Sequence, residues 1–133
     1  MVEAERLKSR PAILVGDLNT GDQVLDRSGG MRFREGDAFD ALGRSGWRDA
    51  FREMSPAVRE YSWWSRVNGF RLDHGFASPA GVEILAASYV REVDGHILAA
   101  PVRRPDRPAI SDHAALVLEV AHVSRSEDLP TSE

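Results

Sequence analysis

The run Ala12-Ile13-Leu14-Val15 constrains this chain most: it is apolar throughout, of strand length, entered from Pro11 and left through Gly16. Such a run suits a strand buried on both faces, packed under helices or a second sheet. Pro11 cannot continue a helix, so a short helix over residues 3–9, anchored by Leu7, ends before it. Gly16 is read as the strand's end.

The rest of the chain alternates short helical and extended signals. A loop from Asp17 to about Gly36, rich in Gly, Asp and Arg, turns at Gly29-Gly30. Residues 37–44 carry Phe39 and Leu42 at helical spacing. Trp47, Ala50, Phe51 and Met54 fall at i, i+3, i+4 and i+7, which predicts a second helix over 47–54, stopped by Ser55-Pro56. The aromatics of Tyr61-Ser62-Trp63-Trp64 favour a strand. Asn68-Gly69 is a hairpin turn signal, and Arg71–Ala77 is the returning strand. A further strand is expected over 82–91, a loop rich in proline and arginine over 101–109, and a last strand over Ala114–Val120. From about residue 122 the composition turns to Ser, Glu, Asp and Pro, which predicts a disordered tail over 122–133. No repeat or linker divides the 133 residues, so residues 1–121 read as one domain or part of one.

Composition narrows the function classes. There are no cysteines, which removes disulfides, thiolate zinc sites and cysteine catalysis. A net charge of −4 is unlike a free-standing, non-specific nucleic-acid binder, although a cleft can still be locally positive. Of the 17 basic residues only Lys8 is a lysine. Arginine suits bidentate phosphate contacts, and a codon-composition bias explains the same imbalance. No apolar run approaches the roughly 20 residues that cross a bilayer, and Met-Val-Glu-Ala-Glu-Arg is too charged for a signal-peptide core. A cytoplasmic location is expected.

Chemistry-bearing residues gather where apolar runs meet loops. Gly16-Asp17-Leu18-Asn19 follows the first strand, and ligands of open α/β sheets collect outside carboxyl ends of strands. Two residues apart on extended backbone, Asp17 and Asn19 point to one side. A carboxylate beside a carboxamide can orient a water and donate to a phosphoryl oxygen, and the same pair also suits a plain turn. In Arg71-Leu72-Asp73-His74 the carboxylate of Asp73 sits in an otherwise apolar segment, where it requires a partner. Ser111-Asp112-His113 leads into Ala114-Ala115-Leu116-Val117-Leu118. Adjacent residues on a strand face opposite ways, so Asp112 and His113 divide between two tasks, or are a solvated Asp and a stray His.

Gly-Asp-x-Asn after a strand, a Trp-Trp hairpin, Arg-Leu-Asp-His and a late Ser-Asp-His stand here in that order, from about Leu7 to Val120. In this the chain resembles the endonuclease/exonuclease/phosphatase superfamily, and its segments are most similar to bacterial exonuclease III and abasic-site endonucleases involved in DNA repair. The resemblance implies an α/β (α+β) fold of DNase I type, a two-sheet β-sandwich flanked by helices, of which this chain would be the C-terminal half. It also implies metal-dependent phosphodiester hydrolysis with Mg2+ or Mn2+, oxygen ligands suiting those ions. Asp17 would position or activate the attacking water and Asn19 would hold the phosphate. His113 would contact the scissile phosphate or act as acid/base, with Asp73 setting its tautomer. Asp112 would bind the metal together with Asp17. Trp63, Trp64, Phe70 and Leu72 fall where these endonucleases form the pocket for an extruded sugar, or they pack the core. Arg66, Arg71, Arg103 and Arg104 could face phosphates or solvate a surface.

The sequence departs from that pattern in three places. A complete domain is nearly twice as long, and its first half carries a metal-binding Glu with no counterpart here, since Glu3 and Glu5 lie on a charged helix face. The Ser65–Phe70 hairpin is shorter than in exonuclease III. His74 stands where relatives carry Tyr or a hydrophobe. An exposed inner sheet face on Ile13, Val15, Leu116 and Leu118 is therefore expected to drive self-association or to bind a complementing N-terminal half. DNA or another phosphate ester is the expected substrate. The alternative functions are a non-catalytic remnant or interaction module, and a phosphoesterase acting outside nucleic acid.

Overall fold

Cross-strand pairing of two short segments organises the structure, a computed structural model that describes residues 2–102 and 104–124. After α1 (Val2–Leu7), β1 (Ile13–Asp17) runs antiparallel to β5 (Asp73–Ala77), with Ile13 opposite Ala77, Val15 opposite Gly75 and Asp17 opposite Asp73. A two-residue strand, β2 (Arg48–Asp49), pairs with the Phe76–Ala77 end of β5. The sheet order is thus β1-β5-β2. Helices α2 (Gly36–Arg44) and α3 (Ala50–Met54) flank it. Trp63–Trp64 (β3) and Gly69–Phe70 (β4) form a hairpin that turns over Ser65–Asn68, ahead of the expected Asn68-Gly69 turn. The long pair β6 (Val82–Val90) and β9 (Ala115–His122) is antiparallel with one register irregularity. Between them β7 (Glu92–Val93) and β8 (His96–Ile97) make a small hairpin. The architecture is mixed α/β with antiparallel sheets.

Alternation along β1 and β5 sorts their side chains onto two faces. One face carries Leu14, His74 and Phe76. Phe39 of α2 covers it, with ring centroids 4.7 Å from His74 and 5.5 Å from Phe76. The other face carries Ile13, Val15, Asp17, Asp73 and Ala77, and Leu118 reaches over Gly75, where an added Cβ would come within 2.4 Å of its Cδ1. The buried cluster of Ala50, Ala77 and Ile84, joined by Ile13, Val82, Ala87 and Leu118, ties α3 and the two larger sheets together.

Several expectations are corrected. The first strand is not buried on both faces: Val15 is 67% exposed. Gly16 lies inside β1, paired with His74, and the strand ends at Asp17. The helix expected from Trp47 begins only at Ala50. Arg48–Asp49 is extended because it adds to β5, and the Asp49 carboxylate caps the helix by accepting from the Arg52 N–H at 3.2 Å. The returning strand expected over Arg71–Ala77 begins only at Asp73, and a break at Arg71–Leu72 separates it from β4, which takes in Gly69 of the expected turn. His122 belongs to β9 rather than to a tail, and Val123 N–H still donates to Gly81 O. The expected disordered residues 125–133, and Arg103, lie outside the described residues. Among the described residues no helix is long and apolar enough to cross a membrane.

Behind the break sits a buried ion network. Arg71 is fully buried, and its Nε and Nη2 donate to the two oxygens of Asp26 at 2.7 and 2.9 Å. Its Nη1 donates to Asp49 at 3.0 Å, and Arg52 reaches Asp26 at 2.7 Å. Burial pulls the guanidinium's pKa down, but the flanking carboxylates outweigh it and hold Arg71 above its ordinary value. Arg71 therefore stands in the core and is not free to face a phosphate.

Candidate active site

The register of β1 and β5 builds the site. Leu18 N–H donates to Leu72 O, so the neighbouring pair Asp17 and Asp73 exchanges no ladder bonds. Residues in such a pair lie at the closer of the two antiparallel spacings, about 4.5 Å between Cα atoms. Two carboxylates are thereby held side by side at the edge of an apolar face. That arrangement is unfavourable unless a cation or a donor sits between them.

His113 supplies the donor. It lies just before β9 and is tied by an isolated antiparallel bridge to Trp63. Its Nδ1 lies 2.7 Å from Asp73 Oδ2 and its Nε2 lies 3.9 Å from Asp17 Oδ2. Partial burial lowers the imidazole pKa, but the hydrogen bond to Asp73 and the negative charges of Asp73, Asp17 and Asp112 outweigh it, and His113 titrates above the ordinary value. The Asp73 hydrogen bond favours a proton on Nδ1, leaving Nε2 directed at Asp17.

Asp17, Asp73 and His113 each offer a ligand atom within 4.8 Å of the others. Hard oxygen donors suit magnesium or manganese, and Mg2+ commonly takes only one or two protein carboxylates, keeping water and substrate oxygens for its other positions. The two carboxylates of this cluster fit such an ion. Asp112 is exposed and stands outside that group, though its charge reaches His113. A second cluster, Asp26, Asp49 and His74, is filled by the guanidinium of Arg71 and is no metal site.

The remaining sequence-derived residues divide. Asn19 is exposed but not extended: its φ is +51°, and its N–H donates to Asp17 Oδ1 at 2.9 Å. Asn tolerates this left-handed conformation better than most residues, so a turn, rather than strand alternation, sets where its side chain goes. Trp63 is half-buried, stacked in tilted fashion on Phe70 at 5.9 Å. Phe70 is buried beneath it and also meets Phe33 edge-on at 6.0 Å. Trp64 carries the Arg91 guanidinium over its ring at 5.1 Å. Leu72 is buried, and Arg66 and Arg104 are exposed.

Beside the cluster runs a groove of about 570 Å³ lined by Ile13, Val15, Leu116, Leu118 and Val120, with Asp17 and Asp73 at its edge. Residues that sequence reasoning missed lie behind the site. Ser62, read only as part of an aromatic strand, is fully buried and accepts from the N–H groups of Leu72 and Asp73 at 3.0 and 3.2 Å. Tyr89 donates to Asp73 O at 2.6 Å. A small polar residue among aromatics was the one available signal for Ser62.

No family model matches the chain. It is 32% identical over 83 residues to an exodeoxyribonuclease of Bacillus subtilis (strain 168), a match covering 50% of this chain and 33% of that protein. The chain spans about a third of the length of the curated relative it matches.

Proposed function

We propose that this chain carries the catalytic segment of a metal-dependent phosphodiester hydrolase acting on nucleic acid, with a DNase I-like fold of the endonuclease/exonuclease/phosphatase type. The observation that carries the reading is the meeting of Asp17, Asp73 and His113, from three separate segments, at the end of one strand pair. The likeness to an exodeoxyribonuclease supports the nucleic-acid substrate.

On this reading Asp17 orients the attacking water and accepts its proton. Asn19, whose backbone N–H donates to Asp17, offers its carboxamide to a phosphoryl oxygen. His113, held through Nδ1 by Asp73, presents Nε2 to the phosphate. Its raised pKa keeps a larger share of the ring protonated near neutral pH, and a protonated ring donates to the developing negative charge. Asp17 would hold the magnesium or manganese ion, with Asp73 beside it and Asp112, which precedes β9, a further carboxylate on the His113 side. When bound, the ion supplies Lewis-acid polarisation of the phosphoryl oxygen. Trp63, braced by Phe70, is the stacking surface nearest His113, with Trp64 next to it.

The exposed Val15 and the groove beside the cluster favour a site completed by a second sheet, from a complementing segment or another copy of the chain. The test is magnesium-dependent cleavage of duplex DNA carrying one abasic site, by the chain alone and with the rest of the matched exodeoxyribonuclease supplied in trans. Cleavage that disappears in Asp17→Ala is the expected result. Cleavage that survives that substitution, or none under either condition, rejects the reading.

A further inference from the structure

Asp73 is held in an unusual way for a strand residue. Its side of the β1 ladder makes no bond to it, because Asp17 and Asp73 form a pair without ladder bonds, so its N–H and C=O point away from β1. On that other edge β2 pairs only with Phe76 and Ala77 and stops short of Asp73. Both orphan groups are taken by side-chain hydroxyls instead. Ser62 Oγ accepts the Asp73 N–H at 3.2 Å and the Leu72 N–H at 3.0 Å, and the Tyr89 hydroxyl donates to the Asp73 carbonyl at 2.6 Å.

Ser62 also reaches the partner of Asp73. Its carbonyl accepts the Ala114 N–H at 2.8 Å, next to His113, while its own N–H donates to Phe70 O at 2.9 Å. The adjacent Trp63 bridges to His113. One fully buried residue thus connects the backbone of the carboxylate to the backbone beside the imidazole. Tyr89 anchors the Asp73 backbone from β6, with Arg71 Nη1 at 3.5 Å from its hydroxyl oxygen. A buried backbone group left without a partner is costly, so removal of either hydroxyl should let Asp73 move toward another partner. Movement of an ångström or less lengthens the 2.7 Å contact to His113.

We propose that Ser62 and Tyr89 are positioning residues, which fix Asp73 against His113 and thereby set which imidazole nitrogen carries the proton. This rests on the hydrolase reading for its catalytic meaning but not for its geometry. Neither residue touches the reacting atoms. The consequence is a specific defect, a misoriented ring in a folded protein.

The test reads the ring directly. In the 15N-labelled full chain at alkaline pH, where the ring is neutral, two-bond proton–nitrogen correlations report the tautomer of His113, assigned through His113→Gln. The wild-type ring is expected to carry its proton on Nδ1. In Ser62→Ala and Tyr89→Phe, with the fold checked by amide spectra, a mixture of both tautomers is expected, and Ser62→Thr should restore the single form. Retention of the wild-type tautomer in any folded variant lacking either hydroxyl overturns the proposal. Should Ser62→Ala fail to fold, Tyr89→Phe, which deletes a single oxygen, decides the outcome. In the cleavage assay the same variants are expected to lose about tenfold in kcat with KM unchanged. A wild-type chain that cleaves nothing, with the tautomer shift still seen in the variants, would reject the hydrolase reading and leave the positioning intact.

Discussion

The two faces of the β1–β5 pair are finished differently. On one, Leu14, His74 and Phe76 are covered by Phe39, and nearby the buried Arg71 is saturated by Asp26 and Asp49. On the other, the same strands present Val15 to solvent and two adjacent carboxylates to a groove. Charge on the first face is neutralised by the chain's own residues, 22 and 45 positions from Arg71. On the second, among the described residues, only His113 answers it. The contrast between a charge cluster answered from within the chain and one left half-answered is what the proposed site at the second face rests on.

Breaking the finished face should have the largest effect. Arg71→Ala leaves Asp49 without its cation and the buried Asp26 with Arg52 alone, and removal of one partner from a buried pair costs roughly 3–5 kcal/mol. Against a total of about 5–15 kcal/mol for a domain, this should appear as loss of cooperative unfolding in a denaturant titration. Asp17→Ala, on the open face, removes an exposed carboxylate and should shift stability by no more than about 0.5 kcal/mol. Equal losses in the two variants would erase the contrast between the faces.

His113→Ala should leave the fold intact and lower phosphodiester cleavage by about 10²–10⁴-fold, the usual contribution of a positioned acid or base. The measurement is cleavage rate together with the thermal midpoint of the same sample.

The histidines of the two faces should titrate with opposite sign. Burial, and then the charge of Arg71, lower the pKa of His74 from 6.5. Its Nε2 donates to Thr20 O at 2.6 Å, and its buried Nδ1 has no partner, as suits a neutral ring. A depressed pKa gives stability that is present above 6.5 and lost as pH falls toward the folded value. His113, raised, gives stability that is present below 6.5 and lost as pH rises through its folded value. Urea midpoints measured against pH should lose part of their acid limb in His74→Phe and part of their alkaline limb in His113→Gln. The reverse assignment would contradict the electrostatics of both faces.

Val15→Ser should have the smallest effect on folding, because the side chain is mostly in water already. It should weaken association of the groove with another sheet, read by sedimentation of the chain over a concentration series. A clear loss of stability would mean that this face is closed within the single chain.

The sequence made the open face legible because its residues sit at strand ends, where Asp17, Asp73 and His113 interrupt apolar runs. Their meeting was not visible in spacing and rested on the family resemblance. The closed face was not legible: Asp26 lies in a loop that reads as generic, and its partner Arg71 is 45 residues away. β2 was hidden because Trp47, Ala50, Phe51 and Met54 imitate one helical face, while a two-residue strand has no period of its own. The left-handed turn at Asn19 escaped strand alternation for the same local reason, since Asp17 caps it from two residues before.

The most direct measurement on the open face is manganese titration of the 15N-labelled chain, followed by paramagnetic line broadening. Broadening is expected first at Asp17, Asp73 and His113, at sub-stoichiometric ion, and should vanish in Asp17→Ala. Broadening spread evenly over exposed carboxylates, or unchanged in that variant, would contradict a single metal-using site at this strand end.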